Sequence, residues 1–275
     1  MELWFTEKQT PNLGLSCKVK ETLYRCRTKY QEIAIIDTFQ YGKMLVLDGM
    51  VQTTVSDEFV YHEMIAHIPM RTHARPRNAL VIGGGDGGAV REILKYPDVQ
   101  KVTLVEIDDQ VIEAAKRFLP EISSSLEDCR VDLQVADGIE YVRSLEDAYD
   151  IIIVDSTEPV GPAAGLFGSS FYEGVFRALK KDGILVAQTE SPFINAELIR
   201  TVFRRIKAVF PYTYLYLASV PTYPSGLWSF TLGSKLYNPL QPAGSCVPAN
   251  TKYYNPDIHI SSFSLPHFVG DLLKD

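Results

Sequence analysis

The sequence predicts an α/β protein in which a doubly wound, largely parallel sheet follows a small β-domain. After residue 78, short apolar runs alternate with stretches of helical periodicity, which is typical of a parallel sheet covered by helices on both faces. Before about residue 60, apolar β-branched runs are separated by Gly and Asp turns, which indicates antiparallel hairpins. We therefore expect an N-terminal β-hairpin domain at residues 1–60 and a larger α/β domain at residues 61–275.

Three strands and one helix are predicted in the first part of the chain. The strands are "QEIAIIDTF" (31–39), "KMLVLDG" (43–49) and "VQTTVS" (51–56). The stretch "DEFVYHEMIAHI" (57–68) has helical texture and leads into the larger domain.

Seven strands and five helices are predicted after residue 78. The strands are 79–82, 102–107, 131–135, 151–155, 184–188, 214–220 and 227–233, and the helices are 88–96, 109–119, 138–145, 169–180 and 195–209. The last two strands are separated by "PTYPSG", which is too short for a helical crossover. We therefore expect this pair to be antiparallel.

Composition limits the class of protein. The chain has 275 residues, 46% of them hydrophobic, and a formal charge of -7, which argues weakly against nucleic-acid binding. The charge fits a cationic ligand, although many soluble enzymes are mildly acidic. The N-terminus "MELWFTEKQT" is charged where a signal peptide is apolar, no run is long enough for a membrane span, and the four cysteines lack C-x-x-C spacing. We expect a cytoplasmic protein with reduced thiols and no metal.

A glycine turn, "GGGDGG" (83–88), follows the first strand of the larger domain. Ligands of open parallel sheets bind beyond the carboxyl ends of the strands, and glycines allow the ligand to approach the backbone. Glu106 ends the next strand and suits a ribose diol, while Asp137 ends the third and suits an adenine amine. A tight strand-helix turn, with the acids capping helices, is the alternative.

Asp86 in the turn distinguishes two kinds of nucleotide ligand. A dinucleotide brings a pyrophosphate, which favours a helix N-terminus free of acids. A nucleoside sulfonium ion carries positive charge and no phosphate. The acid therefore predicts a cation-bearing nucleoside.

The fourth strand runs into "DSTEPVGPAAGLFGSSFY" (155–172), which is too long and too rich in Gly, Pro and Ala for a plain connection. We expect a mobile lid with Asp155 and Glu158 at the mouth of the sheet. A helix N-cap with acids in the first turn is the alternative for Asp155.

Together, "GGGDGG", "VEID", "ADG", "DSTEPVGPA", "LFGSSFY" and "PTYPSG" resemble the polyamine aminopropyltransferases, with spermidine synthases as the nearest group. The resemblance runs from about residue 2 to residue 268. It implies a Rossmann-like, methyltransferase-type sheet and a homodimer or homotetramer. It also implies aminopropyl transfer from decarboxylated S-adenosylmethionine to putrescine, giving spermidine and 5′-methylthioadenosine, with no cofactor.

The resemblance implies two groups of site residues. The nucleoside would be bound by Gln31, Glu106, Asp137, Gly138 and Pro162. The polyamine and aminopropyl groups would be bound by Tyr61, His62, Asp86, Asp155, Ser156, Thr157, Glu158, Gln188 and Tyr223. Two positions depart from the common pattern: His62 stands where Gln is common, and Glu158 where Asp is common.

The residues support this chemistry independently. A sulfonium and a diamine repel each other by about 1 kcal/mol at 4 Å in water and by about 4 kcal/mol at an effective dielectric of 20. Asp86, Asp155 and Glu158 would offset that repulsion. Asp155 is placed to act as general base for the attacking amine, whose pKa is about 10.4, unless the pocket selects the neutral amine.

Other functions are open to test. A putrescine methyltransferase shares nearly all of these motifs, and a catalytically inactive polyamine-binding protein is a further alternative. An NAD-dependent oxidoreductase is disfavoured by Asp86. A zinc site in "HEMIAH" (62–67) is disfavoured because histidines five residues apart point about 140° apart on a helix. The acceptor (putrescine, cadaverine or spermidine) is not determined by the sequence.

Overall fold

The computed structural model describes residues 1–156, 165–244 and 246–274. The first part of the chain is a five-stranded antiparallel meander in which each strand pairs with the next. Its strands are Leu3–Thr10 (β1), Leu13–Arg27 (β2), Glu32–Thr38 (β3), Gly42–Leu47 (β4) and Met50–Thr54 (β5).

Sequence patterns predict β3, β4 and β5 but not the first hairpin. The side chains of β1 and β2 are mostly exposed or half-buried, so neither strand shows the alternation of a strand with one buried face. The hairpin is held instead by its long ladder, in which Leu3 pairs with Val19 and Lys8 with Gly14.

The meander packs on the larger domain through one apolar face. Ile33 and Ile35 of β3 are fully buried against Val111 and Ala114 of the helix Asp109–Phe118 (α3). Burying a side chain of this size contributes about 1.5–3 kcal/mol, so the contact fixes the meander above the carboxyl edge of the second sheet.

A buried helix, Glu58–Thr72 (α1), joins the two parts. All of its residues except Phe59 and Arg71 are buried. The hydroxyl of Tyr216 donates to the Met64 carbonyl oxygen at 3.0 Å, which ties the helix to the second sheet. The helix is therefore rigid enough to hold polar side chains at defined positions.

The second sheet has seven strands. They are Asn78–Gly83 (β6), Lys101–Glu106 (β7), Val131–Val135 (β8), Tyr149–Asp155 (β9), Leu179–Gln188 (β10), Tyr212–Ser219 (β11) and Leu227–Ser234 (β12). The spatial order is β11-β12-β10-β9-β6-β7-β8. β12 is antiparallel to both β10 and β11, and the other pairs are parallel. The predicted fold, including the antiparallel last pair, is confirmed.

Helices cover both faces of this sheet. Besides α1 and α3 they are Gly88–Ile93 (α2), Pro120–Ser123 (α4), Gly138–Arg143 (α5), Ser169–Ala178 (α6), Ala196–Lys207 (α7), Pro256–Ser261 (α8) and His267–Leu272 (α9). Side chains of the central strands alternate between two cores: Val81 and Ile153 face α1 and α2, whereas Ile82 and Ile152 face the side of α5 and α6. This alternation is the doubly wound arrangement that the sequence predicts.

Most element boundaries differ from the prediction by one to five residues. The helix predicted at 88–96 ends at Ile93, and β10 begins at Leu179, directly after α6, rather than at residue 184. The early start of β10 includes an irregularity in its pairing with β9 between Leu179 and Ile184.

The predicted domain boundary at residue 60 stays a prediction.

Within the part of the chain that the structure describes, no helix combines the length and apolarity needed to cross a bilayer.

Candidate active site

A cavity of about 330 Å³ lies between the meander and the carboxyl edge of the seven-stranded sheet. Its position follows from the strand order, because β7 and β9 lie on opposite sides of β6 and the chain connections run in opposite directions from it. A crevice forms at the carboxyl ends of the strands at such a point. The register places Gly83 beside Asp155 and Glu106 beside Val135. The acids predicted at these strand ends therefore share one edge.

Most of the predicted site residues line this cavity. They are Gln31, Tyr61, His62, Asp86, Glu106, Asp137, Gly138, Asp155, Ser156, Gln188 and Tyr223. Thr157, Glu158 and Pro162, with the central part of the predicted lid, lie outside the described residues.

The glycine turn packs directly against the end of β9. Gly83 and Gly84 have positive φ angles of 79° and 66°. A Cβ on Gly83 would lie 2.2 Å from the Asp155 carbonyl oxygen, and one on Gly84 would lie 2.6 Å from Asp155 Oδ2. Any larger residue would therefore push the turn away from the Asp155 carboxylate.

Asp86 is buried in this turn. Its Oδ1 accepts the backbone N–H of Gly88 at 2.8 Å and lies 3.4 Å from His62 Nε2. Burial alone would raise the pKa of Asp86, but the His62 ring and the Gly88 N–H lower it below its ordinary value. Asp86 is therefore a carboxylate at neutral pH.

His62 is 2% exposed and lies between two carboxylates. Its Nδ1 is 2.5 Å from Glu58 Oε2, and Arg91 Nη2 donates to the same oxygen at 2.7 Å. Burial would lower the pKa of His62, but Asp86 and Glu58 raise it well above its ordinary value. The ring is thus an imidazolium in the cavity wall, with both of its nitrogens beside protein carboxylates.

The two carboxylate oxygens of Asp155 have different surroundings. The Tyr61 hydroxyl donates to Oδ1 at 2.6 Å, and the buried Oδ2 has no hydrogen-bond partner among the described residues. Burial, followed by the charge of Asp86, raises the pKa of Asp155 to about 6. His62 and the Tyr61 hydroxyl moderate that rise. Such a carboxyl can exchange a proton near neutral pH.

Glu106 is a buried acid in the cavity wall at the end of β7. Its Oε1 accepts the N–H of Asp108 at 3.0 Å, and burial raises its pKa to about 7. Gln31 is brought to the same region by the meander, where its Nε2 donates to Asp108 Oδ2 at 3.2 Å. The two residues are 75 positions apart in sequence, and only the packing of the meander brings them together.

Asp137 caps a helix. Its Oδ1 accepts the N–H of Ile139 at 2.8 Å and so begins α5. The capping interpretation therefore holds for this residue. Asp137 and Gly138 also line the cavity. Their expected contact with the nucleoside stays a prediction.

Aromatic rings form the wall that leads away from Asp155. Tyr61 packs against Tyr223 and Phe230, and Tyr223 packs against Trp228 with ring centroids 4.6 Å apart. The Tyr223 hydroxyl donates to the Gln52 carbonyl oxygen of β5 at 2.5 Å. This side of the cavity is thus closed jointly by the meander and by the β11–β12 connection.

Several lining residues have no counterpart in the sequence prediction: Glu7, Tyr30, Gln52, Glu190 and Trp228. Glu190 has a signal in the sequence, since it lies two residues beyond the end of β10, where ligands of parallel sheets bind. Glu7 has none, because it lies on β1, which is itself not predicted. Its Oε1 accepts the N–H of Val51 at 3.3 Å, which places its carboxylate beside β5.

His67 and His73 lie outside the cavity lining. His67 Nε2 is 2.9 Å from Glu92 Oε2, so the histidines of "HEMIAH" face different carboxylates. His73 lies near Asp150 and Asp182, a geometry that a metal ion would fit. The Lys180 ammonium, however, already lies 3.0 Å from both oxygens of Asp150.

Two family models match the chain. The spermine/spermidine synthase domain matches residues 58–241, and the spermidine synthase tetramerisation domain matches residues 3–55.

Curated relatives match over nearly the full length. The polyamine aminopropyltransferase of Caldicellulosiruptor saccharolyticus is 58% identical over 100% of this chain and 99% of its own. That of Moorella thermoacetica is 57% identical over 99% of this chain and 96% of its own.

A solved spermidine synthase in complex with the transition-state analogue AdoDATO superposes with a TM-score of 0.94 at 41% identity, covering 98% of this chain and 94% of that one. The spermidine synthase from Thermotoga maritima gives 0.93 at 41% identity with the same coverage.

Proposed function

The chain belongs to the spermidine synthase family of polyamine aminopropyltransferases, and from that premise we propose its reaction. The aminopropyl group of decarboxylated S-adenosylmethionine is transferred to putrescine, giving spermidine and 5′-methylthioadenosine. The observation that carries this proposal is a pair of acids in the cavity wall: Asp86 lies within the glycine turn, and Asp155 lies at the end of β9 against Gly83 and Gly84. Carboxylates there favour cations and disfavour phosphates.

The donor fits the nucleoside side of the cavity. In its ionised form Glu106 can accept both hydroxyls of the ribose, with Gln31 and Asp137 nearby on the same wall. The donor's sulfonium and terminal ammonium then lie toward Asp86 and Asp155. This orientation supplies the negative charge where the donor is positive.

The acceptor fits the aromatic side. Its reacting amine lies against the Asp155 carboxylate, and its methylene chain lies along Tyr61, Tyr223 and Trp228. The cavity lining includes two further buried carboxylates, Glu7 and Glu190, which suit the second ammonium group of a diamine. An acceptor with two cationic ends is thus matched by more than one acid in the cavity wall.

The chemical step is an in-line displacement. The nitrogen lone pair attacks the carbon next to sulfur, the C–S bond breaks, and its electron pair neutralises the sulfonium to a thioether. The nitrogen releases one proton, which Asp155 accepts. The pKa of Asp155 is about 6, well below that of an alkyl ammonium at about 10.4, so Asp155 is a weak base for this proton. Transfer is assisted because the attacking nitrogen loses affinity for its proton as the N–C bond forms.

The sulfonium leaving group is part of the donor, so we propose that no metal or other cofactor takes part. Turnover should be unchanged after dialysis against EDTA. A loss of activity that added metal restores would contradict this part of the proposal.

The main alternative is methyl transfer to putrescine. Incubating the protein and putrescine with decarboxylated or ordinary S-adenosylmethionine, followed by chromatography of the amines, separates the two. We expect spermidine from the first donor and no N-methylputrescine from the second; the opposite pattern would refute aminopropyl transfer. Cadaverine and spermidine in parallel reactions define the acceptor range.

We also propose a homo-oligomer. The tetramerisation-domain match covers the meander, and apolar side chains such as Leu3 and Trp4, each 56% exposed, lie on its first strand. Large exposed apolar groups on one sheet are typical of an interaction surface. Light scattering would distinguish a dimer from a tetramer, and a monomer at micromolar concentration would contradict the proposal.

A further inference from the structure

A chain of four charged side chains, three of them buried and one, Arg91, half-buried, lies on the donor side of the cavity. His62 Nδ1 faces Glu58 Oε2 at 2.5 Å, and His62 Nε2 faces Asp86 Oδ1 at 3.4 Å. A neutral imidazole has a single N–H and can donate to one of these carboxylates only. Both contacts are favourable together when the ring is an imidazolium. Arg91 completes the chain by donating to Glu58 at 2.7 Å.

We propose that Glu58 is a positioning residue for the donor: by holding His62 as an imidazolium, it sets the net charge that Asp86 presents to the aminopropyl ammonium group. This inference deepens the proposed function and rests on it. Glu58 itself is absent from the cavity lining and acts through His62.

The ring of His62 is fixed in place. Glu58 lies one helical turn before it on α1, so the two side chains are neighbours on one face. On the other side, a Cβ on Gly88 would lie 2.2 Å from the imidazole, so the ring packs directly on the backbone of α2. Asp86 is two residues before Gly88. The His62 ring therefore stays beside Asp86 whether the ring is charged or neutral.

The surroundings of His62 are charged on several sides. The titratable and charged groups near it come from α1, from the glycine turn and α2, and from the end of β9: Glu58, Tyr61, Asp86, Arg91 and Asp155. The carboxylates of Glu58 and Asp86 and the cations of His62 and Arg91 compensate each other's charge. The imidazolium consequently weakens the attraction of Asp86 for an ammonium group and weakens its repulsion of a second carboxylate.

The charge of His62 can be measured directly. The ¹⁵N shifts of the imidazole nitrogens distinguish an imidazolium from a neutral ring, and His62→Gln identifies the signal among the five histidines. In the wild type we expect both nitrogens of His62 to stay protonated at pH 8. In Glu58→Gln we expect the apparent pKa to fall by at least about one unit, a tenfold loss of proton affinity.

Glu92→Gln is the matched control. Glu92 also pairs with Arg91, at 2.9 Å, but its histidine partner is His67. This variant removes a buried carboxylate from the same region without touching the His62 ring. It should move the signals of His67 and leave His62 an imidazolium at pH 8.

Ligand affinities test the consequence. At a pH above the new midpoint, Glu58→Gln should bind decarboxylated S-adenosylmethionine about threefold to tenfold more tightly, because Asp86 is no longer offset by an imidazolium. It should bind 5′-methylthioadenosine, which lacks the aminopropyl group, as the wild type does. A purely structural role for Glu58 would weaken both ligands.

The outcomes separate this inference from the proposed function. A wild-type protein that transfers aminopropyl groups while His62 is neutral at pH 8 overturns the inference alone, and this spectrum decides the matter even where Glu58→Gln does not fold. An unchanged ratio of the two affinities in folded Glu58→Gln overturns it as well. A wild-type protein that does not bind the decarboxylated donor overturns the proposed function and, with it, the role of Glu58.

Discussion

The hydroxyl of Tyr61 donates to Asp155 Oδ1 at 2.6 Å, joining the middle of α1 to the carboxyl end of β9 across 94 residues of sequence. This contact holds Oδ1, whereas Oδ2 is buried against Gly84 and has no hydrogen-bond partner among the described residues. The hydrogen bond therefore fixes the orientation of the carboxylate before any amine binds.

Replacing Asp155 by Asn should lower kcat by about 10²–10⁴, the usual contribution of a positioned acid-base group. The affinity for 5′-methylthioadenosine should change little, because the nucleoside contacts lie on the side of Glu106. Single-turnover kinetics and calorimetry on the same preparation would measure the two quantities. Near-normal turnover would remove Asp155 from the role of base.

The rate should depend on pH through Asp155. Its pKa is raised to about 6, and only the ionised form can accept the proton, so kcat should rise as pH increases through about 6 and then level off. Tyr61→Phe removes a hydrogen bond that lowers this pKa. The acidic limb of the profile should therefore move to higher pH in that variant. A limb that stays in place would mean that another group is titrating.

Glu106→Gln should weaken decarboxylated S-adenosylmethionine and 5′-methylthioadenosine together, because both carry the ribose diol. The expected loss is about 1.5–3 kcal/mol, typical of hydrogen bonds to a charged group. Burial raises the pKa of Glu106 to about 7, so wild-type affinity should fall below pH 7 as the carboxylate is protonated. Calorimetry at pH 6 and 8 would test this, and unchanged 5′-methylthioadenosine affinity in the variant would contradict the assignment.

Asp86→Asn should change donor selectivity. Ordinary S-adenosylmethionine differs from the donor by one carboxylate beside the amine that Asp86 is expected to bind, and like charges in a buried pocket cost several kcal/mol. The substitution should weaken the decarboxylated donor and weaken ordinary S-adenosylmethionine less. The quantity to measure is the ratio of the two dissociation constants at fixed salt. Should that ratio stay at its wild-type value, Asp86 does not select the donor.

His259 should make stability depend on acid pH. Burial, followed by the positive charge of Arg71, lowers its pKa to about 4, although the hydrogen bond that the ring donates to the Pro239 carbonyl oxygen at 3.0 Å opposes this shift. The other ring nitrogen accepts from the Tyr254 hydroxyl at 2.7 Å. The unfolded chain, with a histidine pKa of about 6.5, binds the proton more readily. The stabilisation is therefore complete above about pH 6.5 and is lost as pH falls toward 4, by about 2 kcal/mol at pH 5.

Urea unfolding at pH 7 and pH 5 measures this difference. His259→Gln should be less stable at pH 7 and should lack this part of the pH dependence. The exposed His267→Gln serves as the control and should keep the wild-type dependence. Equal slopes in all three proteins would exclude His259 as the source.

Some of the site could be predicted because it depends on local order along the chain. Asp86, Glu106 and Asp155 each follow an apolar strand, and parallel strands bring their carboxyl ends to one edge. Strand periodicity and turn residues are short-range properties, so they predict the seven-stranded sheet and its antiparallel last pair. The motifs that carry the family resemblance lie at these same turns.

The remainder depends on contacts between distant segments. The sequence by itself determined the α/β fold and the strand-end acids, because each needs only neighbouring residues. The packing of Ile33 on α3 decided that Glu7 and Gln52 close the cavity, and no local pattern marks those two residues. Tertiary structure alone decided the charge of His62 and the raised pKa of Asp155, because burial and opposing charges act through space, between groups that the sequence places far apart.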